Sequence, residues 1–263
     1  TCCIKDGTFT KLNLDNVFLE NNMKEPDNPV QQMRITNVGQ DDNGRAITLT
    51  ITAVTDYTAW NYDSNNVNDA GFGIINVIAR RPPDASRPFD HNPSWVIMKF
   101  QFSAPLNTYM TFYDLDIQKN TTALVKGREC VQFGNIDAQD ITIHSDALIV
   151  HAAHGTLGYP FFEDVPPFVA DGGTTTALIG QSNHVYCATD VGNETNNPSS
   201  TSNLLESHKR LAIRIFVDNT DHFYVRLSVD HIPDGDGKGT GRNFMFAGFS
   251  GVDYDLCPAP PSP

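Results

Sequence analysis

The sequence predicts an all-β fold: a single β-sandwich, jelly-roll-like, of about ten strands. Three observations predict it. Apolar and polar residues alternate with a period of two in segment after segment. Gly, Pro, Asn and Asp punctuate the gaps between those segments. No segment sustains the 3.6-residue period of an amphipathic helix, and only "SNLLESHKRL" offers as much as one helical turn.

Taken in chain order, residues 1–30 read as an extended N-terminal arm carrying one strand at 8–14, "TFTKLNL". Strands are expected next at 31–37 and 45–54. In "RAITLTITAV", Ile47, Leu49, Ile51 and Ala53 alternate with three threonines, so one face of a β-branched strand is buried. Asn43-Gly44 stands between these two runs, the residue pair that a two-residue hairpin turn favours. Further strands are expected at 72–80, at 95–103 with Val96, Met98, Phe100 and Phe102 inward, and at 108–115, 139–151 and 183–188. Near the end, Leu211, Ile213, Ile215 and Val217 form one inward row, and Phe223, Val225, Leu227 and Val229 another. "NTDHF" between them reads as a tight reversal. A strand at 243–249 follows the glycine-rich loop "PDGDGKGTGR". The sandwich thus spans 31–257, and 258–263 is a proline-rich tail, an extended spacer.

Charge and cysteines bound the function. Eighteen Lys+Arg against 31 Asp+Glu give a net charge of −13, which repels nucleic acid and anionic lipid surfaces. No apolar run approaches the roughly 18 residues of a membrane helix, so no membrane insertion is expected. Five widely spaced cysteines, Cys2, Cys3, Cys130, Cys187 and Cys257, contain no C-x-x-C pair and fit an oxidising compartment. Spacing does not fix connectivity; the expected pairing joins Cys130 to Cys187 and one of Cys2 or Cys3 to Cys257. The remaining cysteine is a free thiol or a link to another molecule. Sequons at Asn120 and Asn193 agree with secretion, and the numbering is expected to begin after a removed signal peptide.

Several constellations hold side chains capable of chemistry. Asp114 and Asp116 share a face if extended, and the apolar parity switches at Asp114, which implies a strand end or bulge there. Two readings stay open: the pair holds calcium with loop carbonyls, or it fastens the corner by accepting hydrogen bonds from the 118–127 loop and from Lys126 or Arg128. Calcium is the one cofactor expected, if any. "DGDGKG" fails the EF-hand ladder at Lys238, and His151 and His154 point to opposite faces of a strand. "AGFSGV" lacks the second glycine of a nucleophile elbow. No paired glutamates suggest a glycosidase, so no enzyme is expected, although a jelly-roll glycoside hydrolase remains an alternative. Exposed aromatics are a separate class of candidate. Tyr57, Trp60 and Tyr62 lie in a polar loop, and Phe161 and Phe162 in a Pro/Phe-rich connection. They serve as a glycan or subunit contact, or as a lid over the open end of the sandwich.

"MTFYDLD", "GRECVQF" and "GRNFMFAGFSG" together resemble secreted β-sandwich modules of protist and bacterial cell-surface and matrix proteins, in which an F-x-D-[IL]-D corner precedes a G-x-E strand. The resemblance implies an extracellular adhesive or structural module, in some cases with calcium at the two aspartates, here Asp114 and Asp116. The expectation is therefore a secreted structural glycoprotein that assembles with copies of itself into a filament, coat or matrix. Phe9, Thr10, Leu12 and Leu14 would then form a strand donated to a neighbour. The alternative is a lectin-like, calcium-dependent adhesion module that binds glycans.

Overall fold

The computed structural model describes residues 9–15, 17–79, 95–119, 125–137, 140–144, 146–153, 169–170, 174–175, 184–189, 197–230 and 240–248. Cys2, Cys3, Cys257, Asn120, Asn193, Phe161, Phe162 and the 258–263 tail lie outside the described residues. Fifteen strands are present among those described: β1 (Phe18–Asn21), β2 (Gln32–Gln40), β3 (Ala46–Ala53), β4 (Asn66–Val67), β5 (Gly73–Ala79), β6 (Trp95–Tyr113), β7 (Ile117–Lys119), β8 (Val125–Gly134), β9 (Ile141–Ile143), β10 (Ile149–Ala153), β11 (Val169–Ala170), β12 (Thr174–Thr175), β13 (His184–Ala188), β14 (Ile213–Asp230) and β15 (Thr240–Ala247). One short helix, α1 (Glu206–Arg210), supplies the helical turn expected there.

The chain is all-β. Thirteen strands form one continuous antiparallel sheet, with β11 and β12 paired separately. The main path runs β1-β2-β3-β6-β14-β8-β13-β10. β15 leaves that path by pairing with the far end of β6 and with β5, and β9 pairs with the start of β14. The hairpin at Asn43-Gly44 forms as expected: Gly44 adopts φ +73°, and its amide donates to Asp41 O.

Two expected breaks are absent. The segments 95–103 and 108–115 are one 19-residue strand, β6, and "NTDHF" lies inside the 18-residue β14. The ladder between them slips register between Val217 and Thr220 and again before His222, and Asn219 sits at φ +44°. A bulge consumes extra residues in a left-handed or irregular conformation, and in sequence it carries the same Asn and Asp signature as a turn. Here it bends both strands without ending them.

The bend can be measured. Twelve residues of straight strand cover about 40 Å, yet the rings of Phe100 and Phe112 on β6 are 5.8 Å apart. The strand therefore doubles back near Leu106, which pairs with Thr220 of β14. Both strands fold over at one end, the hinge end, and both halves return to the opposite end, the mouth. Between the halves lies the aromatic core. Phe100 and Phe223 stack at 5.0 Å, and Phe246 and Phe133 pack edge-on or tilted against Phe100 and Phe112. Every inward row named from the sequence is buried, apart from Ala53, which is half-buried.

The N-terminal segment differs from expectation. Residues 9–14 form no strand and do not extend away from the body. They make a strap across the hinge end: the Thr10 amide donates to Asn107 O and the Asn13 amide to Val38 O, both at 2.7 Å. Leu12 and Leu14 are buried in the chain's own core. The strap meets β2 near its end, at Val38, and β6 at its bend, at Asn107 and Thr108. Beyond it, β1 pairs with β2 and Met23 is fully buried. The described part of 1–30 thus belongs to the same body.

Candidate functional site

Two features stand out at the mouth, back to back on β15. Along β15, Arg242, Phe244 and Phe246 face inward with the core, whereas Gly241 and Asn243 face outward.

The inward feature is an ion cluster. β6 ends at Tyr113, and Asp114 turns the chain at φ +60°, a left-handed conformation that aspartate tolerates better than most side chains. The parity switch in the sequence marks this turn. It brings Leu115 N to Leu211 O, then Asp116 N to Glu129 Oε2 at 3.1 Å, while Glu129 N donates to Asp116 O. Glu129 is 1% exposed and shares the inward parity of Val131 and Phe133 on β8. From the other half of the sheet, Arg242 donates its Nε to Glu129 Oε1 at 2.6 Å and its terminal nitrogen to Asp116 Oδ1. The cluster clasps together the two halves that the hinge folds over. It draws charged residues from each of the three sequence strings: Asp114 and Asp116 from the first, Glu129 from the second and Arg242 from the third.

The electrostatics follow from burial. Asp114 is 7% exposed, and burial, reinforced by the charge of Asp116, pushes its carboxyl up to about 8 despite Arg242. Burial also raises Asp116 and raises Glu129 well above its ordinary range, each opposed by the guanidinium. Burial works against the charge on Arg242, but Glu129 and Asp116 outweigh it and hold the group protonated. Asp114 therefore carries its proton at neutral pH. Chemically, the arrangement is a structural clasp with one proton held in reserve. The cation on Asp116 is Arg242, which neither reading of the Asp114 and Asp116 pair had named. Among the described residues, no group of three or more His, Cys, Asp or Glu is placed to hold a metal ion.

Sequence reasoning did not single out Arg242. The signal was available: in "GRNFMF" it falls on the same parity as the two buried phenylalanines.

The outward feature is the loop that carries Tyr57, Trp60 and Tyr62. The aromatic trio divides between support and display. The Tyr57 hydroxyl lies 2.6 Å from Asn76 O and 2.8 Å from the Oδ1 of the fully buried Asn65, and its ring packs edge-on to Tyr62. Trp60 is 54% exposed, one of three large apolar side chains so exposed among the described residues. Its backbone is nonetheless fixed, because Asn76 Oδ1 accepts from the amides of both Trp60 and Asn61. Asn76 Nδ2 is itself held by Asn243 on β15. The ring root lies against Gly241, where an added Cβ would come within 2.5 Å of Trp60 Cβ. An indole face is thus presented to solvent from a rigid seat, with Asn61 and Asp63 exposed beside it.

On β8 and β13, Cys130 and Cys187 occupy directly opposed positions and are joined by a buried disulfide. Among the described residues, no helix is long and apolar enough to cross a membrane. No family model, curated protein or solved structure matches the chain.

Proposed function

We propose that this chain is a non-catalytic extracellular adhesion module that contacts a glycan through the Trp60 loop. The observation that carries the reading is Trp60: a ring more than half exposed on a loop pinned by Asn76 and seated on Gly241. An exposed indole held rigid stacks on the apolar face of a pyranose without first losing conformational freedom. Asn61 and Asp63 supply hydrogen-bonding groups at its edge. The net charge of −13 favours neutral glycans over sulfated or uronic ones.

Support for an extracellular setting comes from the Cys130–Cys187 disulfide, the two sequons and the resemblance of the three strings to secreted modules. Support for a non-catalytic role comes from the carboxylates. Asp116 and Glu129, the acids a hydrolase would need free, are engaged by Arg242.

A glycan array, followed by titration calorimetry on the best hit, tests the reading. Trp60→Ala should weaken binding by about 2 kcal/mol, roughly thirtyfold, as a central aromatic contact does. Trp60→Phe should lose less, and a calcium chelator should change nothing. The reading fails if the wild type binds no glycan, or if Trp60→Ala binds as well as the wild type.

A further inference from the structure

The strap sits in a seat built for a peptide segment. At the hinge end, Gly39 of β2 and Gly248, just past β15, flank its backbone. A Cβ on Gly39 would stand 3.0 Å from Lys11 O, and one on Gly248 would stand 2.4 Å from Leu12 O and 2.5 Å from Leu12 Cβ. Two glycines on different halves of the sheet thus leave room for one crossing chain. Leu12 and Leu14 fill the core beneath, the Thr108 hydroxyl donates to Thr10 O at 2.8 Å, and the Phe9 ring meets Tyr109 edge-on at 5.2 Å.

These contacts of the strap reach residues distant in sequence: Val38 and Gly39, Asn107 to Tyr109, and Gly248. None of these contacts depends on the strap belonging to the same chain. Its link to β1 is short, and turns where Asn13 Oδ1 accepts from the Asp15 amide. Release of residues 9–14 would break the Thr10–Asn107 and Asn13–Val38 hydrogen bonds and uncover Leu12 and Leu14, but would break no strand pairing of the sheet.

We propose that the strap exchanges between copies of this chain, residues 9–14 of one copy seating between Gly39 and Gly248 of the next. The occupant of the seat is known from the chain itself, and a second copy offers the same Leu12 and Leu14 in the same spacing. Reciprocal exchange closes a dimer, whereas sequential exchange leaves an open seat and a free strap at the two ends and grows a filament. This proposal does not rest on the Trp60 loop.

The test uses the full chain with Phe9 replaced by photoreactive benzoylphenylalanine, in two versions carrying different tags. The versions are unfolded, mixed, refolded without reductant over a range of concentrations, and irradiated. Exchange predicts cross-links between the tags that map to the region of Tyr109. In the dilute limit, the ratio of inter-chain to intra-chain products should rise roughly tenfold for each tenfold rise in concentration, by mass action. Gly248→Val, which fills the space of the Leu12 backbone, should abolish both products, with folding checked by circular dichroism. If that variant does not fold, the concentration series on the unaltered seat decides alone. Cross-links confined within chains at every concentration would overturn the proposal. So would inter-chain cross-links of equal yield in a folded Gly248→Val protein.

Discussion

Replacing Asp114 by asparagine should make the protein more stable at neutral pH and flatten its response to pH. Asparagine keeps the size and the tolerance of φ +60° that the corner requires, and it cannot ionise. In the folded chain the Asp114 carboxyl is raised from 3.8 to about 8. A carboxyl raised in this way still holds its proton after the unfolded chain has released it. Its contribution is therefore complete below 3.8, and it is lost steadily as pH climbs from there to about 8. At pH 7 the loss has a ceiling of about 4 kcal/mol, from roughly 1.4 kcal/mol per pH unit over the interval above 3.8.

Denaturant unfolding followed by near-ultraviolet circular dichroism, at intervals from pH 4 to pH 8.5, measures this directly. The wild type should lose stability across that range. Asp114→Asn should match it near pH 4 and exceed it by on the order of 4 kcal/mol at pH 7. Part of the slope should survive in the variant, because burial also raises Asp116 and Glu129. Asp41 and Asp221 act in the opposite sense, since hydrogen bonds from the Arg45 amide and from His222 hold them below the ordinary range; their effect falls at more acidic pH. Asp114→Ala serves as control, because it removes the titration but places a poorly tolerated residue in the left-handed region. A wild type whose stability is flat or rising from pH 5 to pH 8 would refute the reasoning. So would an asparagine variant with the wild-type slope.

Two further predictions concern the mouth. Arg242→Met should cost about 3–5 kcal/mol, because it leaves Asp116 and Glu129 buried without their cation; Glu129→Gln in the same background should recover part of that loss in denaturant titration. Replacing both Cys130 and Cys187 by alanine should cost about 4 kcal/mol, the chain-entropy value for the 57-residue separation; a loss below about 1 kcal/mol would mean that the neighbouring strands hold the loop closed without it.

Much of the fold was legible in the sequence because alternation reports which side chains face the core. The inward rows around Phe100, Ile213 and Val225 are buried, and the Asn43-Gly44 turn forms. The parity switch at Asp114 marked a real strand end. Bending was not legible. Residues 103–107 and 218–222 look like loops because a bulge and a turn use the same residue types, and only long-range packing decides whether the ladder continues. Strands of two or three residues, such as β4, β7 and β11, are too short for alternation to register, so the expected number was low. The alternating Leu12 and Leu14 suggested a strand at 8–14, but residues 9–14 form none and bury both leucines in the chain's own core, because alternation reports burial and not which backbone lies alongside. The clasp was half legible: two of its carboxylates drew notice as a pair, while Arg242, 126 residues from Asp116, shared only a parity with buried phenylalanines.

The two ends of this folded sheet are closed by opposite chemistry. At the hinge, the strap seals the core with Leu12 and Leu14. At the mouth, the closure is ionic, and three carboxyls share one well-placed guanidinium. Ion pairs buried in this way are often no more stabilising than apolar residues of the same volume, but they accept only one arrangement of partners. Arg242 satisfies Glu129 and Asp116 together only when β15 lies in a single register against the far half of the sheet. That register also sets Gly241 beneath Trp60 and Asn243 against Asn76 on the outer face. The clasp therefore fixes the position of the surface on which the indole rests. A one-residue slip of β15 would exchange its two faces, turning Arg242 away from Asp116 and Glu129 and Gly241 away from the ring it seats.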